Sequence, residues 1–338
     1  MITVEQLEAK LAEPTEELVN DLGRVSGDLI LLGVGGKMGP SLAKLAVNAI
    51  REGGLNKRVI GVSRFSNAEA RKELDEVGVE TISCELLDDE ALRALPHAEN
   101  VIYMAGNKFG TKGREHFTWA MNTYLPGRVA DKFKDSRIVV FSSGNIYPFL
   151  PVSGGGADEQ VMPQPIGEYA QSTLGRERIF EYHSHKNGTP MAMYRLNYAI
   201  DMRYGVLLEL ARAVNEDREI DLTMGFANVI WQGDANVMAL RCLTQCDSPP
   251  NIVNITGPET LSIRWAANEF AKRLGKEARL TGVESETALL NNASKSHQLF
   301  GYPRVSLLQM MDWTAEWVKQ GGATWNKPTH FQERKGNF

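Results

Sequence analysis

The sequence predicts an α/β fold, a doubly wound parallel sheet with a smaller C-terminal subdomain. Three observations carry that expectation. A short apolar run, Leu29-Ile30-Leu31-Leu32, passes directly into Gly33-Val34-Gly35-Gly36-Lys37-Met38-Gly39. Leu42, Leu45, Ala46, Ala49 and Ile50 then recur at helical spacing, so strand, tight turn and helix follow one another. Further apolar runs alternate with helical patterns at similar intervals, as parallel strands joined by crossovers require.

The elements can be justified in order. Residues 1–27 read as a helical leader interrupted at Pro14. The second strand is Arg58–Val62, followed by a helix carrying Ala68, Ala70, Leu74 and Val77, and the third is Glu80–Cys84. Leu86-Leu87-Asp88-Asp89 leads into a short helix. Asn100–Met104 forms the fourth strand and ends at Ala105-Gly106; a helix with Trp119, Asn122 and Val129 precedes the fifth, Arg137–Phe141. From Pro148 to Gly167 the composition turns to Pro, Gly, Ser and acidic residues, a loop beside the carboxyl ends of the strands. A helix over about 168–186 and a sixth strand, Met191–Leu196, complete the sheet domain, 28–197. Residues 198–338 are mainly a second subdomain, with a strand returning near 251–256 and helices around Ile263–Leu274 and Leu307–Trp317.

Composition narrows the function. The 338 residues are 43% hydrophobic and 23% charged, with a formal net charge of −5. A mildly acidic total offers no basic face for nucleic acid. No apolar stretch approaches a membrane span, and the N-terminus lacks the basic start and apolar core of a signal peptide. Three scattered cysteines, Cys84, Cys242 and Cys246, read as reduced thiols in a cytoplasmic protein. Cys242 and Cys246 lie one turn apart on a helix core face, and His183 and His185 point to different faces, so no metal site is expected. Asp158-Glu159 read as exposed loop charges. The stretch Gly225 to Trp231 either lines a substrate cleft or packs.

The first turn carries the chemistry. Glycine at Gly33, Gly36 and Gly39 fits G-x-x-G-x-x-G, whereas G-x-G-x-x-G fails because Met38 stands where its last glycine would be. Backbone N–H groups at a helix start attract an anion, and glycine lets the chain approach a pyrophosphate closely.

Four segments then fall on the carboxyl-end edge of the sheet: the glycine turn, Ala105-Gly106, Phe141-Ser142-Ser143-Gly144-Asn145-Ile146-Tyr147, and Pro165-Ile166-Gly167-Glu168-Tyr169-Ala170-Gln171-Ser172-Thr173. In this order the chain resembles the extended short-chain dehydrogenase/reductase family, the nucleotide-sugar epimerase and dehydratase group with its Rossmann-type sheet. Arg195-Leu196-Asn197-Tyr198 looks like the family's Arg-x-x-Asn segment, somewhat shortened. Ile230-Trp231-Gln232-Gly233-Asp234 looks like its His-Val-Asp-Asp segment, and Asn254-Ile255-Thr256-Gly257 like its later strand and turn. The resemblance implies hydride transfer at a carbinol carbon of a carbohydrate-like small molecule. It places Ser143 on the substrate oxygen, Tyr169 as proton shuttle and Asn122 in a helical relay. It implies dinucleotide contacts at Gly33, Gly36, Lys37, Met38, Gly39, Ser63, Arg64, Leu86, Ala105, Gly106 and Asn197. It also implies a homodimer through the helices around Asn122 and Tyr169.

One departure matters. The family has Tyr-x-x-x-Lys, and here Thr173 stands on the tyrosine's helix face where the lysine belongs. A hydroxyl can still bond the nicotinamide ribose, but it cannot supply the charge that activates a phenol. Arg176, Lys108 and Lys112 are the candidate substitutes. At the end of the second strand, Ser63-Arg64 replaces the carboxylate usual for NAD. A hydroxyl and a guanidinium suit a 2′-phosphate, with Lys37 adding charge, so NADP is expected over NAD. The rival reading is a binding protein, a nucleotide sensor or scaffold that lost turnover with the lysine.

Overall fold

The computed structural model describes residues 2–108, 110 and 112–336. At its centre lie seven parallel strands: β1 (Leu29–Leu32), β2 (Val59–Ser63), β3 (Glu80–Ser83), β4 (Asn100–Tyr103), β5 (Arg137–Ser143), β6 (Met191–Leu196) and β7 (Asn251–Ile255). Their order is β7-β6-β5-β4-β1-β2-β3. The winding direction reverses between β1 and β4, and that reversal opens a crevice at the carboxyl ends of the strands.

Burial explains the sequence pattern. β1 and β4 are covered on both faces, so they read as unbroken apolar runs, whereas the edge strand β3 keeps Glu80 and Ser83 exposed. Alternate residues feed two cores: Leu31, Ile102, Val139 and Tyr194 on one face, Ile30, Val101, Tyr103 and Ile138 on the other. A third core, around Phe270 and Trp317, joins the helices Val206–Asn215, Ile263–Leu274 and Leu307–Lys319.

The parallel sheet forms as the sequence predicts, and the strand expected near 251–256 pairs with β6. β5 runs two residues further than expected, to Ser143, because Ser142 and Ser143 continue the ladder opposite Arg195 and Leu196. The leader forms two helices, Val4–Leu11 and Glu16–Arg24, the first closed by a reciprocal Thr3–Gln6 capping box. The 148–167 stretch is more than a loop. Leu150–Pro151 pairs antiparallel with Thr287–Ala288, which draws the C-terminal subdomain against the crevice. Among the described residues no helix is long and apolar enough to cross a membrane, and no group of His, Cys, Asp or Glu could hold a metal ion.

Candidate active site

The glycines of the first turn serve different ends. Gly33 adopts φ +95°, and a Cβ there would sit 2.7 Å from the Ala105 amide nitrogen. A Cβ on Gly39 would overlap the Val34 carbonyl. Gly36 is exposed, and its nearest neighbour to such a Cβ, the Gly33 carbonyl oxygen, is 3.4 Å away; its bare backbone faces open space. The helix Gly39–Glu52 starts without a side-chain cap, so its first amides keep their capacity to receive an anion.

Beside this turn lies a cleft of about 260 Å³. Gly33, Gly36, Lys37 and Met38 line one side of it; Gly106, Ser143 and Asn197 reach it from the ends of β4, β5 and β6, and Tyr169 from the first turn of the helix Gly167–Asn187. Other expected cofactor contacts lie elsewhere. Gly39 is packed beneath the turn, Ala105 supports Gly33 from behind, and Leu86 is buried in the core with Leu92 and Tyr103. Ser63 lies against Gly35, and Arg64 is exposed, 3.7 Å from Glu85.

Lys37 departs most from expectation. Its side chain turns into the cleft rather than toward Ser63-Arg64, with Nζ 3.4 Å from the Ala199 carbonyl oxygen and 3.5 Å from the centre of the Tyr204 ring. Burial pushes this ammonium down to about 7. The Nδ2 of Asn197, itself 2% exposed, has no hydrogen-bond partner. A buried donor without an acceptor is costly unless a ligand supplies one.

The four expected catalytic residues separate into two pairs. Ser143 and Tyr169 share the cleft wall, and the Ser143 Oγ accepts the Asn145 amide at 3.2 Å. Thr173 and Asn122 are fully buried behind that wall. The Thr173 hydroxyl donates to the Tyr169 carbonyl at 2.8 Å, four residues back on its own helix (Gly167–Asn187), so it is turned away from a ribose. Asn122 sits in a π-helical turn, Ala120–Tyr124, with both ends of its amide engaged. It donates to the Asn107 carbonyl and to Ser172, and it accepts from the Asn107 amide and from Arg176. Arg176 is held by the Phe141 carbonyl at 2.7 Å as well as by Asn122, and its guanidinium lies where any side chain on Gly106 would clash. Of the candidate substitute cations, Lys108 stands beside the phenol, Nζ 5.7 Å from the centre of the Tyr169 ring; Lys112 is exposed in the following loop. We expect Thr173→Val to change dinucleotide affinity by less than about twofold, since that hydroxyl serves its own helix. Calorimetric titration checks this, and a larger loss would return Thr173 to the ribose.

Behind Ser143 runs a polar chain that the sequence reading missed. Ser142 donates to Glu177 at 2.5 Å, and Glu177 receives Arg195 through two bonds of 2.9 and 2.7 Å. Arg195 also donates to the Tyr147 hydroxyl, which donates to Asn254. Glu177 and Arg195 are each 2% exposed, so the helix of Tyr169 is bolted to β5, β6 and β7 through a desolvated ion pair. Tyr147, Arg195 and Asn254 lie in segments the sequence had singled out, but Glu177, which joins them, carries no local signal.

Strand order, crevice and turn together define a doubly wound, Rossmann-type fold, and solved structures share it. A UDP-glucuronic acid 4-epimerase from Bacillus cereus, solved with NAD, aligns at TM-score 0.69 and 17% identity, covering 87% of this chain and 99% of its own. A dTDP-glucose 4,6-dehydratase from Streptomyces venezuelae, with NAD bound, aligns at TM-score 0.72 and 16% identity over 87% and 97%. A UDP-glucose 4-epimerase from Thermotoga maritima gives TM-score 0.67 and 16% identity over 87% and 99%. At such identities the likeness is one of fold. No protein-family model and no curated protein sequence matches the chain.

Proposed function

We propose that the chain is a nicotinamide-dinucleotide-dependent enzyme of the extended short-chain dehydrogenase type, an oxidoreductase or an epimerase/dehydratase, acting on a carbohydrate-like small molecule. The observation that carries this reading is the convergence of Ser143 and Tyr169 on one cleft wall, opposite the open face of Gly36. The residues present fit the dinucleotide: an uncapped helix start and a bare glycine for its diphosphate, and neighbouring Gly33, Met38 and Gly106 that leave room for it. When bound, it would exchange hydride with a carbinol carbon. The Ser143 hydroxyl hydrogen-bonds the substrate oxygen and the Tyr169 phenol moves that oxygen's proton. Lys108 stands over the Tyr169 ring, and Asn122 fixes the Asn107-Lys108 backbone through both ends of its amide.

NADP is the proposed cofactor. Arg64 closes β2 with an exposed guanidinium, and β2 ends without a carboxylate to claim a ribose hydroxyl. Fluorescence titration should show NADPH binding more tightly than NADH, and Arg64→Ala should abolish the difference; tighter NADH would reverse the assignment. Exposed Tyr124, in the turn of Asn122, and Tyr182, on the helix of Tyr169, support pairing of two copies there. The three free cysteines fit a reducing compartment such as the cytoplasm.

A further inference from the structure

The C-terminal segment runs past the cleft. It leaves the last helix and is tied to the substrate side at four points. The Trp325 amide donates to the Arg203 carbonyl at 3.1 Å, and the Arg203 guanidinium covers the Trp325 ring at 4.8 Å. Thr329 bonds the Glu209 carboxylate through its amide and, at 2.8 Å, through its hydroxyl. Phe331 is buried in the subdomain core. Arg334 holds the Thr287 carbonyl and hydroxyl at 2.9 and 2.6 Å and lies 4.3 Å over the Phe149 ring. Gly336 then lies against Gly167, two residues before Tyr169, so closely that a Cβ on either glycine would strike the other residue's backbone.

This strap meets the cleft at one residue. Thr329 borders the cleft, whereas Lys327, Pro328 and His330 face a separate hollow of about 420 Å³ on the other side. Between Tyr147, Tyr198, Leu289 and the strap residues Glu333 and Arg334 only about 20 Å³ remains, room for a single water. The cleft itself, about 260 Å³, falls below the ~300–1,000 Å³ common for small-molecule sites, and it must also admit the nicotinamide end of a cofactor.

Charge narrows the occupant further. Among the described residues the cleft is lined by Lys37, Lys108 and Arg176, and by no Asp or Glu. Arg176 is committed to Phe141 and Asn122, and Lys108 stands over Tyr169. Among the described residues Lys37 meets a long carbonyl contact and a ring face, and its nearby carboxylate, Asp201, is bonded twice by the Arg203 guanidinium and once by the Arg203 amide. Asn197 adds a buried amide donor with nothing to receive it.

We propose that the substrate is a small, free polyhydroxy acid rather than a nucleotide-linked sugar, with its carboxylate received by Lys37 Nζ and Asn197 Nδ2 and its far end stopped by the C-terminal strap. This rests on the reading of the cleft as a dinucleotide-dependent site. The test is calorimetric titration of the full chain saturated with NADP, using a panel of aldonic and uronic acids, the parent neutral sugars and UDP-glucuronic acid. At least one free acid should bind about tenfold or more tightly than its neutral parent, and UDP-glucuronic acid should bind at least about tenfold more weakly than that acid. Lys37→Met should remove the preference for the acid while leaving dinucleotide affinity within about threefold, and Lys37→Arg should restore it. Thermal melts confirm that both variants are folded. Tight UDP-glucuronic acid, a panel with no acid bound, or a Lys37→Met variant that loses dinucleotide instead of acid each overturns the assignment. Failure of the wild type to bind any dinucleotide is a separate outcome, and it defeats the underlying site.

Discussion

Tyr169→Phe should lower kcat by about 10²–10⁴-fold while the folded protein binds dinucleotide as the wild type does. The phenol stands at the cleft wall with Ser143, and the substitution removes one oxygen without changing the ring's packing. Its effect should fall on kcat rather than on KM, because a proton shuttle acts on the transition state more than on the bound substrate. Lys108→Met should reproduce part of the loss, because the ammonium over the ring helps to hold the phenol in place. A redox-neutral reaction hides from nicotinamide absorbance, so product analysis must accompany the assay. Unchanged turnover in Tyr169→Phe would remove the residue from the chemistry altogether.

The second large effect concerns stability. Glu177→Gln should cost about 3–5 kcal/mol of unfolding free energy, because it leaves the Arg195 guanidinium charged and unpaired inside the protein. Burial opposes the charge on Arg195, and in the wild type the bonds and charge of Glu177 outweigh it; in the variant that support is gone, yet a guanidinium does not shed its proton inside a protein, so the charge remains. Urea denaturation measures the difference. The double variant Glu177→Leu/Arg195→Met should regain much of the loss, since no lone charge remains. A Glu177→Gln protein within 1 kcal/mol of wild type would mean that water reaches the pair. Because this pair anchors the helix of Tyr169, residual activity in folded Glu177→Gln should report on the placement of the phenol.

Much of the fold was legible because its signals are local. Leu29–Leu32 and Asn100–Tyr103 are covered on both faces and therefore stand out as apolar runs, and Gly33 and Gly39 are demanded by backbone approach within their own neighbourhood. The site was legible in part. Ser143 and Tyr169 lie on the ends of elements whose order is fixed by the sheet, so their meeting follows from topology. What stayed hidden depends on distant contacts. Thr173 shows the right spacing for a ribose contact, but spacing does not reveal that its hydroxyl is spent on the Tyr169 carbonyl. Lys37 sits in a turn associated with phosphate, and only the approach of Ala199 and Tyr204 from more than 160 residues away shows which way it faces. The strap from Trp325 to Gly336 carries no periodic pattern, because it is bound by single anchors rather than by a repeating face.

Glu8, on the first leader helix, touches both halves of the molecule: Lys44 of the helix after the glycine turn at 3.2 Å and Arg203 of the substrate side at 2.7 Å. Burial raises the proton affinity of this carboxyl, yet the two cations prevail and hold its pKa below the ordinary 4.5. With a depressed folded pKa, the cross-brace is intact at neutral pH and fails only as acidity rises through that lowered value. Near neutrality a ligand therefore meets two lobes tied through one ionised carboxylate of the leader, a link that only acid undoes.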